Sequence, residues 1–449
     1  MNPDFVVLAA GKGTRMLGPS PKVLLPVGGI AMVQRVLDTV AEIDKSRTIL
    51  VLGDQAKEVK GLLNFGKNTK IVKQRKQLGT AHAVKTAQSQ LRPGSVTVVL
   101  YGDAPLIESK TLKKLIGNAK KGSLAILTFN KGNPEGYGRI VRGQRNQVTA
   151  IIEEKDANKE QKEIKEVNSG ILAIKSNLMK QLLPKVKNKN AAKEYYLTDV
   201  VELAKEAGIK VRPLLLNDPD EALGANTPLE MQELERACQR LGAKKLINSG
   251  VKVADANRLD VRGSLKAGKG TFLDVNNVFE GKVEIGKGSS IGPNCFISNS
   301  VIGDKVSIKA NTVIEDSIVG NDCKLGPFAR IRGGTELEGS AELGNFVEAN
   351  RSKVGKASKA KHLTYLGDSS LGSKVNIGAG TITCNYDGKN KHKTKLEDEV
   401  FIGSNTSLVA PVKLGKKSYT GAGSVITKNV PPETLAIGRS RQSNIKRKK

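Results

Sequence analysis

Short runs of β-branched and aliphatic residues recur through the first half of the chain: FVVLAA at 5–10, TILVLGD at 48–54, SVTVVLYGD at 95–103 and LAILTFN at 124–130. Stretches of helical length separate them. Strands that alternate with helices build a mostly parallel sheet, because a parallel neighbour is reached only through a crossover connection. The first half is therefore expected to be an α/β domain with a Rossmann-like, mostly parallel sheet.

The texture changes at Thr227. PLEMQELERACQRLGAKKLI sets Leu229, Leu234, Leu241 and Leu246 among charges, has no internal proline, and is preceded by Thr227 as a cap ahead of Pro228. This pattern predicts one connector helix.

After about residue 250 an aliphatic-Gly pair recurs at spacings near six or its multiples: Ile285-Gly286, Ile291-Gly292, Val319-Gly320, Leu325-Gly326, Leu371-Gly372, Ile377-Gly378, Ile402-Gly403 and Leu414-Gly415. A six-residue period is the signature of a parallel β-helix in which each hexapeptide forms one face of a triangular coil. The aliphatic residue points inward, and Gly and Asn beside it turn the corners where positive φ is needed. The period lapses over about 328–341 and again over 385–399, where loops are expected on one side of the coil. The division is 1–226 for the α/β domain, 227–247 for the helix and 248–449 for the β-helix with a basic tail.

Composition narrows the class. The 449 residues are 38% hydrophobic with 47 glycines, which excludes wholesale disorder. No apolar run reaches the length of a membrane span, and the first residues lack the features of a signal peptide, so a cytoplasmic protein is expected. Cys238, Cys295, Cys323 and Cys384 are widely spaced, as for free thiols in a reducing compartment. The 73 basic and 44 acidic residues leave +29, a field that suits polyanions, either nucleic acid or phosphorylated small molecules. The lack of Trp and scarcity of other aromatics argue against single-stranded nucleic acid.

The chemistry begins at Leu8-Ala9-Ala10-Gly11-Lys12-Gly13-Thr14-Arg15-Met16, a Gly-rich loop directly after the first strand. Backbone N–H groups in such a loop can approach phosphates while Lys12 and Arg15 supply charge. It is neither a Walker loop nor a dinucleotide fingerprint. With Pro21-Lys22-Val23-Leu24 it resembles the signature of the sugar-1-phosphate nucleotidyltransferases. Gln74, Gln77-Leu78-Gly79-Thr80-Ala81-His82-Ala83, Tyr101-Gly102-Asp103, Gly136-Tyr137-Gly138-Arg139, Glu153, Asn168-Ser169-Gly170, Glu194-Tyr195-Tyr196-Leu197-Thr198-Asp199 and Asn226 follow in order. Together with the hexapeptide half, the chain resembles the bacterial bifunctional N-acetylglucosamine-1-phosphate uridyltransferases and glucosamine-1-phosphate acetyltransferases.

That resemblance implies a left-handed coil, a homotrimer with acetyltransferase sites between subunits, and UDP-N-acetylglucosamine as product, a precursor of peptidoglycan and lipopolysaccharide. In the first half it implies Mg²⁺ on Asp103 and Asn226, the triphosphate of UTP near Lys22 and Arg15, and uracil read by Gln74, Gly79 and Thr80. Leu8, Ala9, Ala10, Gly11, Tyr101 and Gly102 complete the substrate site, with Gly138, Glu153 and Asn168 on the amino-sugar. His82 is read as structural.

In the second half, His362 within Lys361-His362-Leu363-Thr364-Tyr365-Leu366-Gly367-Asp368 matches the family's general base. Glu348 is the expected orienting partner. Arg332, Asn350, Tyr365, Asn376 and Lys391 would surround the sugar phosphate, and acetyl-CoA would lie against Ala379, Asn385, Tyr386, Ser404, Ala422 and Arg439. One departure stands out: where the family commonly has Lys after Phe-Val-Glu-x, this chain has Asn350, followed by Arg351. Either Arg351 reaches the phosphate, or Arg332 and Lys391 suffice, or acetyl transfer is weakened. The competing possibilities are a single-activity nucleotidyltransferase with a structural or regulatory β-helix, where a purely structural coil would have no use for His362, Asn385, Tyr386 and Lys391, and a non-catalytic assembly or polyanion-binding protein. No nucleic-acid partner and no membrane span are expected.

Overall fold

The computed structural model describes residues 2–11, 16 and 20–447. Lys12 and Arg15 lie outside them. The chain divides into two compact units, Met1–Cys238 and Gln239–Lys449.

The first unit is built on a sheet whose strands lie in the order Val211–Leu215, Leu124–Asn130, Glu166–Lys175, Val96–Tyr101, Pro3–Ala9, Arg47–Leu52 and Thr69–Lys73. Neighbours are parallel except at Glu166–Lys175, which runs against both of its own. A side hairpin of Arg139–Arg142 and Val148–Ile152 joins the sheet through Arg139 opposite Val167. Alternation along the first strand sorts the core into two layers. Phe5, Val7 and Ala9 join the helix residues Val33, Val36, Leu112 and Leu115 in one cluster, whereas Val6, Leu8 and Ala10 join Ala83, Val84, Met179 and Val200 in the other. The parallel strands end together at Ala9, Leu52 and Tyr101, and Gly102 N–H donates to Leu8 O at 2.9 Å. This common edge is where an open α/β sheet presents its loops to a ligand.

The expected helix runs Pro228–Asn248, and Thr227 Oγ1 accepts from Glu230 N–H at 3.2 Å as its cap. Within the first unit Glu235 accepts from Gly28 N–H at 2.6 Å; within the second, Gln239 exchanges two hydrogen bonds with Val261.

The second unit is a parallel β-helix of three short faces per coil. One inner column reads Ile285, Ile302, Val319, Leu337, Val354, Leu371, Leu396 and Leu414, each paired with the next and all buried. Each such side chain contributes roughly 1.5–3 kcal/mol by leaving water, so the ladder of aliphatics holds the solenoid together. Stacked positions are usually 17 or 18 residues apart, but 25 where Ser373 meets Asp398. The extra length is one loop, 385–393, inserted between the strands Ile382–Cys384 and Thr394–Leu396.

The other expected loop, 328–341, does not exist. Arg330–Arg332 and Glu336–Leu337 stay in register with the coils on either side, and Ala329, Ile331 and Leu337 point inward. The apparent lapse arises because Arg332 and Glu338 follow the inner aliphatics where Gly is usual.

Corners fall in columns with positive φ. One passes through Asn276, Asn294 and Asn311, then through Phe328, Phe346 and Leu363 at φ 55°, 56° and 47°. Asparagine tolerates this conformation and bulky residues do so at a cost. Yet these three are 49%, 56% and 62% exposed, and the two phenyl rings stack at 5.3 Å. They form an apolar ridge on the coil's edge.

Candidate active sites

At the strand ends of the first unit, the Lys22 ammonium, 8% exposed, lies 2.5 Å from Asp103 Oδ2 and 2.7 Å from Asn226 Oδ1. Sequence positions far apart thus supply two oxygens converging on one cation. Asp103 follows its strand through Gly102, where a Cβ would come within 3.1 Å of Ala9 Cβ. Asn226 is held by donating its backbone N–H to Glu230.

Beside this point a cavity of about 220 Å³ is lined by Ala9, Ala10, Gly11, Gly53, Asp54 and Gln77 among others. Gln77 Nε2 is buried in it without a hydrogen-bond acceptor among the described residues. A buried donor left unpaired costs about 1–3 kcal/mol, so it calls for a ligand acceptor. Gly53 leaves the room, since a Cβ there would sit 2.7 Å from Ala10 O and 2.9 Å from Gln77 Nε2.

Gln74 is buried, with Nε2 2.9 Å from His82 Nδ1. The imidazole that looked merely structural therefore fixes the glutamine's amide: Nδ1 accepts, and Gln74 Oε1 is left to receive a ligand N–H. Gly79 stands at φ 111°, and a Cβ on it would lie 2.5 Å from Tyr195 O. Thr80 Oγ1 accepts from Leu197 N–H at 2.9 Å. The Tyr195–Leu197 segment thus holds the Gly79–Thr80 turn in place.

On the other side, Gly138 O accepts from Asn168 N–H at 2.8 Å, and Glu153 Oε1 accepts from Thr198 Oγ1 at 3.0 Å. A Cβ on Gly138 would lie 3.4 Å from Glu153 Oε2, so these three residues are neighbours. Burial raises the Glu153 carboxyl above its usual range. Tyr101 is pushed upward by burial, with Glu153 and Asp103 adding to it. Gly170 at φ 81° makes room for its ring, a Cβ there falling 2.5 Å from Tyr101 Cε2.

The β-helix brings its expected residues together in two groups. On one face, Arg332 pairs in register with Asn350, Glu348 with Tyr365, and Asn350 with Gly367. Arg332 Nη1 donates to Glu348 Oε1 at 2.9 Å. Tyr365 lies over Gly367, where a Cβ would be 2.5 Å from its hydroxyl and 2.7 Å from Asn385 Nδ2. Loop 385–393 carries Asn385, Tyr386 and Lys391 next to this group. Asp387 closes that loop by accepting from the N–H groups of Lys389 and Asn390, and lies 2.7 Å from His392 Nε2.

The second group lies across the corner made by Leu363. His362 precedes the corner and Tyr365 follows it. Ala379, Ser404 and Ala422 stack on successive coils, linked by Asn405 N–H to Ala379 O and Gly423 N–H to Ser404 O, both 2.7 Å. Arg439 Nη1 donates to Ala422 O at 2.9 Å at the end of this column of small residues. Asn376 lies one strand earlier, paired with Phe401.

Glu348 is not the partner of His362. His362 Nδ1 is 2.9 Å from Asn345 Oδ1, one coil away, while Glu348 is taken by Arg332. Arg351 does not reach toward Arg332 either; it pairs with Asp368 through two hydrogen bonds of 2.7 and 2.8 Å. Asn345, Gln77 and the role of His82 were missed in the sequence, and only Gln77 carried a signal, its place within the Gln77–Ala83 motif.

Residues 5–171 match the MobA-like NTP transferase domain, 268–386 the GMPPB C-terminal domain, and 393–428 the hexapeptide repeat of succinyl-transferase. The chain is 48% identical to the bifunctional protein GlmU of Marinobacter nauticus over 440 residues, covering 98% of this chain and 97% of that one. It is 48% identical to GlmU of Idiomarina loihiensis, covering 98% and 96%, and 46% identical to that of Cellvibrio japonicus, covering 98% and 97%. With nucleotidyltransferase motifs at the strand ends and a hexapeptide coil carrying His362, the chain belongs to the GlmU family of bifunctional enzymes, which join a uridyltransferase to an acetyltransferase.

Proposed function

We propose that the first unit aligns a phosphate oxygen of N-acetylglucosamine 1-phosphate for attack on the α-phosphorus of UTP, with pyrophosphate leaving. Such a transfer needs positioning and charge neutralisation rather than covalent catalysis. Ala9, Ala10 and Gly11 border the nucleotide cavity, and Leu8, just before them, is assigned to the substrate site by resemblance. Gln74, turned by His82, accepts from uracil N3–H; Gly79 and Thr80 flank the base, and Gln77 Nε2 donates to a nucleotide oxygen. Gly138, Glu153 and Asn168, with Tyr101 and Gly102, hold the amino-sugar. Arg15 is assigned to the triphosphate by resemblance.

Asp103 and Asn226 offer the donor set of a hard cation, an anionic and a neutral oxygen converging on one point, and so fit Mg²⁺. When bound, the ion supplies charge neutralisation for the phosphates. Lys22, released from between these oxygens, donates to the triphosphate and steadies the leaving pyrophosphate. The observation that carries this half is Lys22 between Asp103 and Asn226.

In the β-helix, His362 Nε2 accepts the proton of the glucosamine 1-phosphate amine as the nitrogen attacks the thioester carbon of acetyl-CoA; the C–S bond then breaks and coenzyme A leaves as the thiol. Asn345 keeps the proton on Nδ1, so Nε2 is the basic nitrogen. Arg332, Tyr365, Asn350, Asn376 and Lys391 receive the sugar phosphate, and acetyl-CoA lies along Ala379, Ser404 and Ala422 with Arg439, Asn385 and Tyr386. The two groups stand on opposite sides of the Phe328–Phe346–Leu363 ridge, which favours sites completed between copies and a homotrimer. Substrates of this class favour a cytoplasmic location. Among the described residues no helix is long and apolar enough to cross a membrane.

Half-reactions assayed separately test these roles. Lys22→Ala should abolish UTP-dependent pyrophosphate release and spare acetyl transfer, and His362→Ala should do the reverse. Loss of both activities in either variant would overturn the division of labour.

A further inference from the structure

The corner column that contains Arg351 is otherwise made of residues suited to a positive φ: Asn299, Asp316, Gly334 and Asp368, against Arg351 at 49°. An arginine there has no local hydrogen-bonding advantage and bears the steric cost of the left-handed conformation. The side chain is exposed, yet its guanidinium nitrogens are all engaged. Nε donates to Asp368 Oδ1 at 2.7 Å and Nη2 to Asp368 Oδ2 at 2.8 Å, while Nη1 donates to Asn350 Oδ1 at 3.2 Å. Asp368 Oδ2 accepts in turn from Asn385 Nδ2 at 2.5 Å. The pairing with Arg351 holds the Asp368 carboxyl below the usual carboxylate range.

A carboxylate can only accept, whereas a carboxamide has a donor end and an acceptor end of nearly equal shape. Asp368 therefore chooses which way Asn385 faces. Its charge secures Nδ2, and Oδ1 is turned away as an acceptor, with no donor on it among the described residues. A neutral side chain at 368 would let the amide flip. Without Arg351, Asp368 would lose the fork that fixes its own plane.

We propose that Arg351 and Asp368 are positioning residues of the acetyl-transfer site, a pair that fixes the flip of Asn385 and offers its carbonyl oxygen to an amide N–H of the pantetheine arm of acetyl-CoA. The cation that follows Asn350 is thus spent on orienting an acyl-donor contact and is not a ligand of the sugar phosphate. Asn385's place beside the acyl donor is taken from the assignment proposed above.

The test is steady-state acetyl transfer by the full-length enzyme with Asn385→Ala, Asp368→Ala, Arg351→Ala, Arg351→Lys and the double variant Asp368→Ala/Asn385→Ala, with uridyl transfer in the same preparations reporting that each has folded. Asn385→Ala should raise the KM for acetyl-CoA about tenfold, the scale of one hydrogen bond. Asp368→Ala and Arg351→Ala should raise the same KM comparably and leave that for glucosamine 1-phosphate within about twofold; Arg351→Lys should recover part of the loss. The double variant should be no worse than Asn385→Ala alone, because the single variants remove the same contact. Independent, additive losses in the double variant would overturn the proposal, as would an Arg351→Ala effect confined to the KM for glucosamine 1-phosphate. If Asn385→Ala itself leaves the acetyl-CoA KM unchanged, the assignment of Asn385 fails; if it raises that KM and Asp368→Ala does not, only the positioning pair fails.

Discussion

His362 Nδ1 lies 2.9 Å from Asn345 Oδ1, a residue 17 positions earlier that stands directly beneath it on the preceding coil. A neutral amide acceptor fixes the imidazole tautomer, holding the proton on Nδ1 and leaving Nε2 free. Asn345→Ala should lower kcat for acetyl transfer roughly tenfold, the scale of one hydrogen bond, because nothing then holds that tautomer. Steady-state kinetics, with uridyl transfer as internal control, check this; an unchanged kcat would separate Asn345 from the catalytic proton.

Asn350 is buried beside Arg332 and brings no charge to the group proposed to receive the sugar phosphate. Asn350→Lys should lower the KM for glucosamine 1-phosphate by about tenfold, since a charge-assisted hydrogen bond contributes roughly 1.5–3 kcal/mol. The acetyl-CoA KM should stay unchanged. Substrate-saturation curves for the two substrates separate these effects.

Gly79 combines φ 111° with a Cβ position 2.5 Å from Tyr195 O. Gly79→Ala must move either its own turn or the Tyr195–Leu197 segment, at a cost of at least about 1 kcal/mol. The KM for UTP should rise while acetyl transfer is unaffected. An alanine variant with wild-type uridyl kinetics would show that this turn does not read the nucleotide.

Asp199 is raised to about 6, mainly by burial and then by Glu202, Glu153 and Asp156. Its unfolded counterpart titrates near 3.9. Between about pH 4 and 6 the folded chain keeps a proton that the unfolded chain has lost, so stability falls as pH rises through that window. Asp199→Asn should stabilise the first unit by on the order of 1 kcal/mol at pH 7.5 and by almost nothing at pH 4. Thermal unfolding at the two pH values checks it.

The sheet and coil were legible because each must repeat an inward aliphatic at a fixed interval, and Val6 to Ala10 or Ile285 to Leu414 display that repetition openly. The direction of Glu166–Lys175 was not, because alternation of side chains is the same in parallel and antiparallel strands. Residues 328–341 were misread since Ile331 and Leu337 keep the period without the glycine that usually announces it. Lys22, Asp103 and Asn226, each singled out by its motif, are brought together at the strand ends of the first unit. Asn345–His362 and Arg351–Asp368 each stand 17 residues apart, one short of the roughly 18 that three hexapeptide faces give, so the period alone does not bring them together. The role of His82 rested on a contact with Gln74 that no spacing encodes.

Mass spectrometry of the products made from glucosamine 1-phosphate, acetyl-CoA, UTP and Mg²⁺ tests the two-site chemistry most directly. The wild type should yield UDP-N-acetylglucosamine; Lys22→Ala should stop at N-acetylglucosamine 1-phosphate, and His362→Ala should form the nucleotide sugar only when N-acetylglucosamine 1-phosphate is supplied. Full product from glucosamine 1-phosphate with His362→Ala, or no nucleotide sugar from the wild type with either sugar, would contradict it.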